Sequence, residues 1–226
     1  MNHQTEPLEW RDRDVPVSRR FDDPYYSLDN GLAETRYVFL KGNGLPERFR
    51  NGFHTAELGF GTGLNLLAAL HLWRDSDQTG VLHFTSFEAF PIPASDMIRA
   101  QATFPELTEI AEELAPFWSA GQKEFALTDL HFTLIEGDAR ETLQHLDKPV
   151  DAWFLDGFSP AKNPELWDPA LLAQVGAITA KGGTAATYTA AGHVRRALDA
   201  GGLITQRVPG FGRKRHMTIA RKPSDD

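Results

Sequence analysis

The sequence predicts a single α/β domain built on a mostly parallel sheet with helices on both faces. Short apolar segments alternate with helical patterns along most of the chain, which is typical of strands joined by crossover helices. A glycine-rich turn at residues 55–65 (TAELGFGTGLN) lies between the first such strand and the first helix. The length of 226 residues suits one domain.

The first 50 residues are predicted to form an N-terminal arm and a segment that covers the cofactor or substrate. Residues 1–24 are polar and contain three prolines, so we expect an irregular arm with an edge strand at residues 15–18. The turn signal Asp29-Asn30-Gly31 precedes a predicted short helix at residues 32–40, with an extended segment at residues 37–40 as the alternative. The remaining residues, 51–226, are predicted to be the core of the same domain.

The core is predicted to contain five strands alternating with helices and a final antiparallel pair. Residues 91–128 exceed one crossover helix, and helical spacing at residues 95–102 and 105–118 predicts a helical insertion there. The predicted strands are residues 53–58, 81–87, 131–135, 150–155 and 183–188, and the pair is residues 203–208 and 216–221. The other predicted helices are residues 64–73, 139–146, 167–178 and 190–200.

Composition excludes several classes of protein. The chain has no cysteine, so disulfides, thiolate metal sites and cysteine nucleophiles are excluded. No apolar run approaches the roughly 20 residues of a membrane span, and the polar start is unlike a secretory signal peptide. We therefore expect a cytoplasmic protein with no membrane partner. The histidines have no metal-ligand spacing, so we expect no metal.

The formal net charge of −8 does not suggest nucleic-acid binding, but phosphate contacts need only a local basic surface. Basic residues do cluster near both ends of the chain. The ordinary explanation for each cluster is a solvated surface. The first cluster is Arg11, Arg13, Arg19 and Arg20, and the second is Arg213, Lys214, Arg215, Arg221 and Lys222.

The glycine turn predicts a site for a nucleotide-like cofactor, because glycine lets the backbone approach a ligand and the helix amides point back at the turn. In the NAD-binding pattern the third glycine follows the second by three residues, whereas Gly63 follows Gly61 by two. The preceding Glu57 would oppose a pyrophosphate but can accept hydrogen bonds from an ammonium group. Acid-x-Gly-x-Gly-x-Gly is the usual first motif of class I S-adenosylmethionine methyltransferases, which have a Rossmann-like fold. The predicted binding residues of the turn are Glu57, Gly59, Phe60, Gly61, Thr62, Gly63 and Asn65.

Acidic residues also close three further predicted strands. Ligands of such sheets bind beyond the carboxyl ends of the strands. We expect Glu88 to accept from ribose hydroxyls, Asp138 to accept from the adenine amino group, and Asp156 to lie beside the transferable methyl. The alternative for each acid is a helix cap or a turn, and Asp138 is most open to it because it directly precedes a helix.

The loop after the fourth strand is predicted to hold the methyl acceptor. Methyl transfer to nitrogen needs a free lone pair aimed at the methyl, and the Asp156 carboxylate can hold an amine N–H and take its proton. Phe158 is expected to pack against the acceptor or the cofactor, and Pro160 to stiffen the loop. Lys162 is expected either to meet a phosphate or to face water.

The sequence resembles the methyltransferase domain of the MnmC family over residues 26–221. The motifs that carry the resemblance are SLDNGLAETRYVFL (27–40), GFGTGLN (59–65), DAWFLDGFSPAKNPELW (151–167), YTAAGHVRRAL (188–198) and PGFGRKR (209–215). They are long and specific, well beyond a generic cofactor turn. Two-domain members also carry an FAD-dependent oxidoreductase domain, so we expect this chain to be the stand-alone methyltransferase, without FAD.

The resemblance implies S-adenosylmethionine-dependent methylation of 5-aminomethyl-2-thiouridine at the tRNA wobble position. It implies that the glycine turn, Glu88 and Asp138 bind the cofactor, with Asn30, Gly31 and Glu34 closing over it. It implies that Asp156 is the catalytic residue. We expect the anticodon stem-loop to dock on a surface that includes residues 213–215, and a separate enzyme to supply the aminomethyl group. The expected substrate-binding residues are Phe158, Ser159, Pro160, Lys162, Arg213, Lys214 and Arg215.

Three alternatives stay open. The same fold would serve a methyltransferase acting on a small amine or a protein, which the acidic net charge allows. An aminopropyltransferase resembling spermidine synthase also combines an acidic glycine turn with an amine-orienting aspartate. A non-enzymatic RNA-binding module is the third, and the acids at four strand ends argue against it.

Overall fold

The structure is a computed structural model that describes residues 8–11, 14–27 and 30–224. Two residues of the predictions lie outside this description: Arg13 of the N-terminal basic cluster and Asp29 of the turn signal. Within the described residues, no helix has the length and apolar character needed to cross a membrane.

Strands and helices alternate through the core as the sequence predicted. The described strands are β1 (Leu8–Arg11), β2 (Val15–Ser18), β3 (Asp23–Pro24), β4 (His54–Leu58), β5 (Leu82–Glu88), β6 (Glu124–Ala126), β7 (Leu130–Glu136), β8 (Val150–Leu155), β9 (Thr179–Thr187), β10 (Ile204–Pro209) and β11 (His216–Arg221). The described α-helices are α1 (Gly31–Thr35), α2 (Leu64–Asp75), α3 (Ala94–Gln101), α4 (Thr108–Ser119), α5 (Ala139–Thr142), α6 (Pro169–Ile178) and α7 (Gly192–Ala200).

Eight strands form one sheet in the order β10-β11-β9-β8-β4-β5-β7-β6. The central strands from β9 to β7 run parallel, whereas β6 and β11 run antiparallel to their neighbours. β10 pairs antiparallel with β11. The predicted mostly parallel sheet with an antiparallel last strand is confirmed. Because parallel strands end at the same edge, the residues that follow β4, β5, β7 and β8 meet there.

The fourth predicted strand, β8, anchors the hydrophobic packing on both faces of the sheet. Successive strand side chains point to opposite faces. Phe154 belongs to the same hydrophobic cluster as Leu66 and Trp73 of α2, whereas Trp153 belongs to a second cluster with Leu172 of α6. Each of these side chains is 1% exposed or less. This double burial fixes the end of β8 and therefore the backbone that carries Asp156.

The N-terminal arm differs from its prediction. The strand expected at residues 15–18 is present as β2, but the arm is not otherwise irregular, since β1, β2 and β3 form a second, antiparallel sheet. Val15 and Val17 are buried, and the Trp10 ring packs 3.9 Å from the guanidinium of Arg99 on α3. The contact of Trp10 with α3 and the burial of the two valines hold a segment whose own sequence is too polar to indicate a sheet.

Further elements depart from the predictions. β9 begins four residues before the strand predicted at residues 183–188, and α5 ends at Thr142 instead of residue 146. The helix expected at residues 32–40 is α1 followed by a π-helical stretch, Arg36–Leu40, and it begins one residue earlier because the Asn30 side chain caps it. The insertion at residues 91–128 contains α3 and α4 but also the edge strand β6. β6 has three residues with one buried side chain, Phe125, which is too short an alternation to recognise in the sequence.

Candidate active site

A cavity of about 1130 Å³ lies at the carboxyl edge of the parallel strands. It is bounded by the glycine turn after β4, the ends of β5 and β8, helix α1, and the loop between β10 and β11. All the predicted site residues line this cavity except Glu57, Gly63, Pro160 and Arg215. The fold therefore gathers most of the predicted cofactor and acceptor residues into one site.

The glycine turn has a backbone that other residues would strain. Gly59, Gly61 and Gly63 have φ angles of 84°, 53° and 76°, all in the left-handed region. A Cβ on Gly61 would lie 2.9 Å from the Tyr25 ring, and one on Gly59 would lie 3.1 Å from the Cα of Gly157. The turn therefore forms a glycine cradle with no room for side chains, because Tyr25 and Gly157 pack closely against it.

Asn65, at the start of α2, joins the turn to the end of β8. Its Nδ2 donates to Oε1 of Glu57 and to Oδ2 of Asp156, each across 2.8 Å. Its Oδ1 accepts from Oγ1 of Thr35 across 2.9 Å, which fixes the orientation of the amide. One buried side chain thereby sets the positions of two carboxylates.

Glu57 lies behind Asn65, outside the cavity lining. It is fully buried, and its Oε2 accepts a hydrogen bond from Oγ of Ser86 across 2.6 Å. Burial raises its pKa well above the ordinary value, and the hydrogen bonds from Ser86 and Asn65 oppose that rise. In this arrangement Glu57 supports Asn65 instead of facing the cavity as the predicted ammonium contact required.

The Asp156 carboxylate is held in place and poised to titrate near neutrality. Its Oδ1 accepts from the backbone N–H of Gly157 across 2.8 Å, in addition to the bond from Asn65. Burial raises its pKa to about 6, with Glu34 adding to the rise and Lys214 opposing it. At neutral pH the group is therefore mostly ionised yet basic enough to accept a proton.

Glu88, at the end of β5, offers a fixed carboxylate to the cavity. Its Oε2 accepts from the N–H of Gly61 across 3.0 Å, and its Oε1 accepts from the N–H of Phe90 across 2.8 Å. Two oriented acceptors of this kind suit a pair of neighbouring hydroxyl groups.

Asp138 lines the cavity, but its carboxylate is largely committed within the protein. It caps α5 by accepting from the backbone N–H of Arg140 across 2.9 Å, and it also accepts from Nε of the Arg140 side chain across 3.0 Å. These hydrogen bonds lower the pKa of Asp138. The helix cap, which the sequence left open as an alternative, is the role that these contacts describe.

An N-terminal strap, defined here as residues 18–27, covers the loop after β8. The Phe158 ring stacks on Phe21 at 4.7 Å between centroids and meets the Tyr25 ring edge-on at 5.0 Å. Oδ2 of Asp23 accepts from the N–H of Ser159 across 3.0 Å. The sequence did not identify Phe21, Asp23 or Tyr25 as site residues, because nothing local to the strap marks its distant partner.

Lys162 is exposed to water, which is one of its two predicted roles, and its ammonium also contacts this strap. Its Nζ lies 3.5 Å from Oδ1 of Asp23 and 3.7 Å from Oδ2 of Asp22. Pro160 is placed in the same loop but outside the cavity lining. The loop after β8 is thus secured by charge pairs at its far end and by aromatic contacts at its start.

The other side of the cavity mouth is formed by the loop between β10 and β11. Nζ of Lys214 lies 2.6 Å from Oε1 of Glu34 and 4.1 Å from the ring centroid of Tyr188. The Tyr188 hydroxyl donates to the carbonyl of Gly157 across 2.8 Å. Tyr188 belonged to a family-like motif in the sequence, but only the structure shows that it lines the site. Arg213 also lines the mouth and is exposed.

Comparison with known proteins agrees with this geometry. A family model described as S-adenosyl-L-methionine-dependent methyltransferase matches residues 105–223. The chain is 48% identical over 225 residues to the tRNA 5-methylaminomethyl-2-thiouridine biosynthesis bifunctional protein MnmC of Caulobacter vibrioides. It is 43% identical over 234 residues to the protein of the same name from Aliivibrio fischeri. These matches cover 96% and 93% of this chain but 38% and 34% of the relatives, so the chain spans little more than a third of their length.

Solved structures give the same result for the fold. The crystal structure of MNMC2 from Aquifex aeolicus superposes with a TM-score of 0.76 at 25% identity, covering 100% of this chain and 74% of that one. A methyltransferase from Pyrococcus furiosus, at a TM-score of 0.50 and 16% identity over 87% of this chain and 85% of that one, shares the fold alone. The cavity, its glycine cradle and these matches lead to one conclusion: the chain belongs to the S-adenosyl-L-methionine-dependent methyltransferase family.

Proposed function

We propose that this chain methylates the primary amine of 5-aminomethyl-2-thiouridine at the wobble position of tRNA, giving 5-methylaminomethyl-2-thiouridine. The relatives at 43% and 48% identity are named for biosynthesis of that nucleoside. The observation that carries the proposal is the Asp156 carboxylate, fixed by Asn65 beside an aromatic wall with its pKa raised to about 6. A base of this strength suits a weakly basic amine.

The residues of the cradle fit the methyl donor. We assign the glycine turn, with Phe60, Thr62 and Asn65, to its methionine end. The two fixed acceptors of Glu88 suit its ribose hydroxyls. Asn30 and Gly31, at the start of α1, line the same cavity and are proposed to cover the cofactor. Asp138 also lines it and is proposed to lie beside the adenine. When bound, S-adenosylmethionine supplies an electrophilic methyl on a sulfonium centre, which a nitrogen lone pair can take.

The protein's own part in the reaction is to free and aim that lone pair. Asp156 accepts a proton from the acceptor ammonium and keeps a hydrogen bond to the remaining N–H. Asn65 holds the carboxylate in one orientation, so the nitrogen is presented in one direction. Phe158, covered by the strap, excludes water from the acceptor side.

The RNA is proposed to dock through the loop between β10 and β11. Arg213 and Arg215 are exposed there, and Arg213 stands at the cavity mouth. Basic side chains next to the mouth suit the phosphates of an anticodon stem-loop, whose bases can be splayed out for recognition. The substrate must come from a preceding reaction that leaves a primary amine on the uridine. With a tRNA substrate, we expect the protein in the cytoplasm.

Transfer of labelled methyl from S-adenosylmethionine tests this proposal. The acceptors to compare are tRNA bearing the aminomethyl group, the same tRNA without it, a free primary amine and a protein extract. We expect label only in the aminomethyl tRNA. Label in the free amine or the protein with none in tRNA would move the acceptor to those classes. Transfer from decarboxylated S-adenosylmethionine in its place would indicate an aminopropyltransferase.

A further inference from the structure

The acceptor side of the cavity already holds a primary ammonium group, contributed by the protein itself. Nζ of Lys214 lies 2.6 Å from Oε1 of Glu34 and 4.1 Å above the ring of Tyr188. A carboxylate on one side and an aromatic face on the other form a recognised type of ammonium site. The expected acceptor carries the same chemical group, a primary amine on a single methylene.

The two partners in this ion pair differ in how firmly they are held. The Glu34 side chain is 13% exposed and rises from the first turn of α1, which Asn30 caps. The Lys214 side chain is 45% exposed and ends a flexible stem on a loop that contains Gly212, whose φ is 57°. A nearly buried carboxylate needs a positively charged partner, and a second ammonium group can replace the first in that role. The loop would keep its place if Lys214 withdrew, since Phe211 packs on Tyr37 at 5.8 Å.

The strand order places this ammonium site on the acceptor side of Asp156. Tyr188 follows β9, which neighbours β8 on the side away from β4 and β5. Its hydroxyl is bonded to Gly157 in the acceptor loop, whereas Glu88 and the glycine turn lie on the other side of β8. Glu34, Lys214 and Tyr188 line the same cavity as Asp156, and Tyr188 is bonded to Gly157, the residue that follows Asp156 in the chain.

We propose that Glu34 and Tyr188 form the entry site for the acceptor's primary ammonium, and that Lys214 occupies this site until the substrate displaces it. The inference rests on the proposed function and names the part of the cavity that receives the amine. Exchange of one ammonium for another leaves the charge of the site unchanged. The displaced Lys214 then joins Arg213 and Arg215 on the face proposed to meet RNA phosphates.

This exchange makes amine entry depend on RNA docking. A free amine must displace Lys214 while the lysine gains no new partner. An amine attached to tRNA brings phosphates that pair with the released lysine. Small amines should therefore bind poorly to the unmodified protein, which gives the site selectivity without a dedicated gate.

The test is the binding of free 5-aminomethyluridine to protein saturated with S-adenosylhomocysteine, measured by calorimetry. Lys214→Met keeps the aliphatic stem over Tyr188 but removes the ammonium, so affinity should rise about tenfold. Glu34→Gln removes the negative charge and should lower affinity about tenfold, in the native and in the Lys214→Met background. Lys148→Met is the matched control. Lys148 is an exposed lysine just before β8, at the amino ends of the strands and therefore far from the cavity. 5-Hydroxymethyluridine, which has no ammonium, should respond to none of these changes.

Three results would overturn the inference: no gain with Lys214→Met, no loss with Glu34→Gln, or an equal gain for the hydroxymethyl nucleoside. A loss of S-adenosylhomocysteine affinity in Glu34→Gln, with nucleoside affinity unchanged, would instead assign Glu34 to the cofactor's ammonium and also overturn it. Circular dichroism of each variant shows whether it is folded. If the nucleoside results hold but tRNA is not methylated, the ammonium site stands and the proposed tRNA substrate fails.

Discussion

Nδ2 of Asn65 donates to Oδ2 of Asp156 across 2.8 Å. This bond joins the first residues of α2, which follow the cofactor turn, to the group proposed to receive the acceptor's proton. The same amide holds Glu57 and is itself held by Thr35. Both hydrogens of Nδ2 are therefore used within the protein, and Asn65 acts on methyl transfer by orienting Asp156.

Asn65→Ala should reduce kcat about 10- to 100-fold with a small change in KM for tRNA, because Asp156 loses its orientation while the RNA-binding surface is intact. Steady-state methylation assays measure both constants. Asn51→Ala is the matched control, since Asn51 accepts a comparable hydrogen bond from Val81 at the opposite edge of the sheet. Equal loss in both variants would mean that Asn65 acts only on stability.

The pH dependence of kcat/KM should show an acidic limb near pH 6, since Asp156 cannot accept a proton when it is already protonated. The charged groups coupled to it are Glu34, Lys214 and Glu57. Lys214 lowers the pKa of Asp156, so Lys214→Met should raise that pKa and move the limb to higher pH, by about half a unit. Ionisation of the substrate amine is the same for both proteins and cancels in the comparison. An acidic limb at the same pH in both proteins would show that Lys214 does not affect the pKa of Asp156.

Asp23→Ala should loosen the loop after β8. Asp23 accepts from the N–H of Ser159 and lies beside Nζ of Lys162. Its removal therefore breaks two interactions between the strap and the loop. Hydrogen exchange at the Ser159 amide should accelerate at least tenfold, while core amides of β8 keep their rates. Asp22→Ala, which removes the longer contact to Lys162 and a contact to Arg11 but leaves the Ser159 hydrogen bond in place, serves as the comparison. Unchanged exchange at Ser159 would show that the strap does not secure this loop.

Arg213→Ala and Arg215→Ala should each weaken tRNA binding and reduce its dependence on salt. Each exposed arginine is proposed to neutralise about one phosphate, so the slope of log affinity against log salt should become shallower by about one. Binding titrations at several salt concentrations measure the slope. Lys148→Ala, on the opposite edge, should leave it unchanged. The same slope in all three variants would place the RNA elsewhere.

Arg48→Ala should cost about 2–4 kcal/mol of the free energy of unfolding, because a part-buried guanidinium loses four hydrogen bonds. Nη1 donates to the carbonyl of Asn43 and to Oγ1 of Thr184, and Nη2 donates to the carbonyls of Asp151 and Gly182. Urea unfolding followed by circular dichroism gives the value.

Arg50→Ala is the control for this prediction. Arg50 pairs with the Asp151 carboxylate, but its own side chain is 59% exposed, so the loss should be clearly smaller. Equal losses would mean that the burial of Arg48 contributes nothing.

The sequence predicted those parts of the fold that local pattern determines. β8 has its predicted bounds because it is an apolar run, interrupted by Asp151 alone, that is followed directly by an acid and a glycine. Glu88 and Asp156 were found for the same reason, since each ends or directly follows a recognisable strand. The glycine turn combined spacing with a preceding acid, and that combination separated it from the NAD pattern.

The contacts that complete the site join residues far apart in sequence. Lys214 and Glu34 are 180 positions apart, and Asp23 and Ser159 are 136 apart. No local pattern indicates such pairs. Lys162 was assigned to phosphate or water because its acidic partners lie in the N-terminal strap. Glu57 shows a second difficulty: an acid at a strand end can support a neighbour from behind, as it does with Asn65, as readily as it can face a ligand.

The most direct measurement is nucleoside mass spectrometry of tRNA after incubation with the protein and isotope-labelled S-adenosylmethionine. We predict that 5-aminomethyl-2-thiouridine disappears and that 5-methylaminomethyl-2-thiouridine appears with one labelled methyl group. Asp156→Asn should reduce this conversion at least 100-fold while retaining tRNA binding. Undiminished 5-aminomethyl-2-thiouridine with the native protein, or full conversion with Asp156→Asn, would contradict the account.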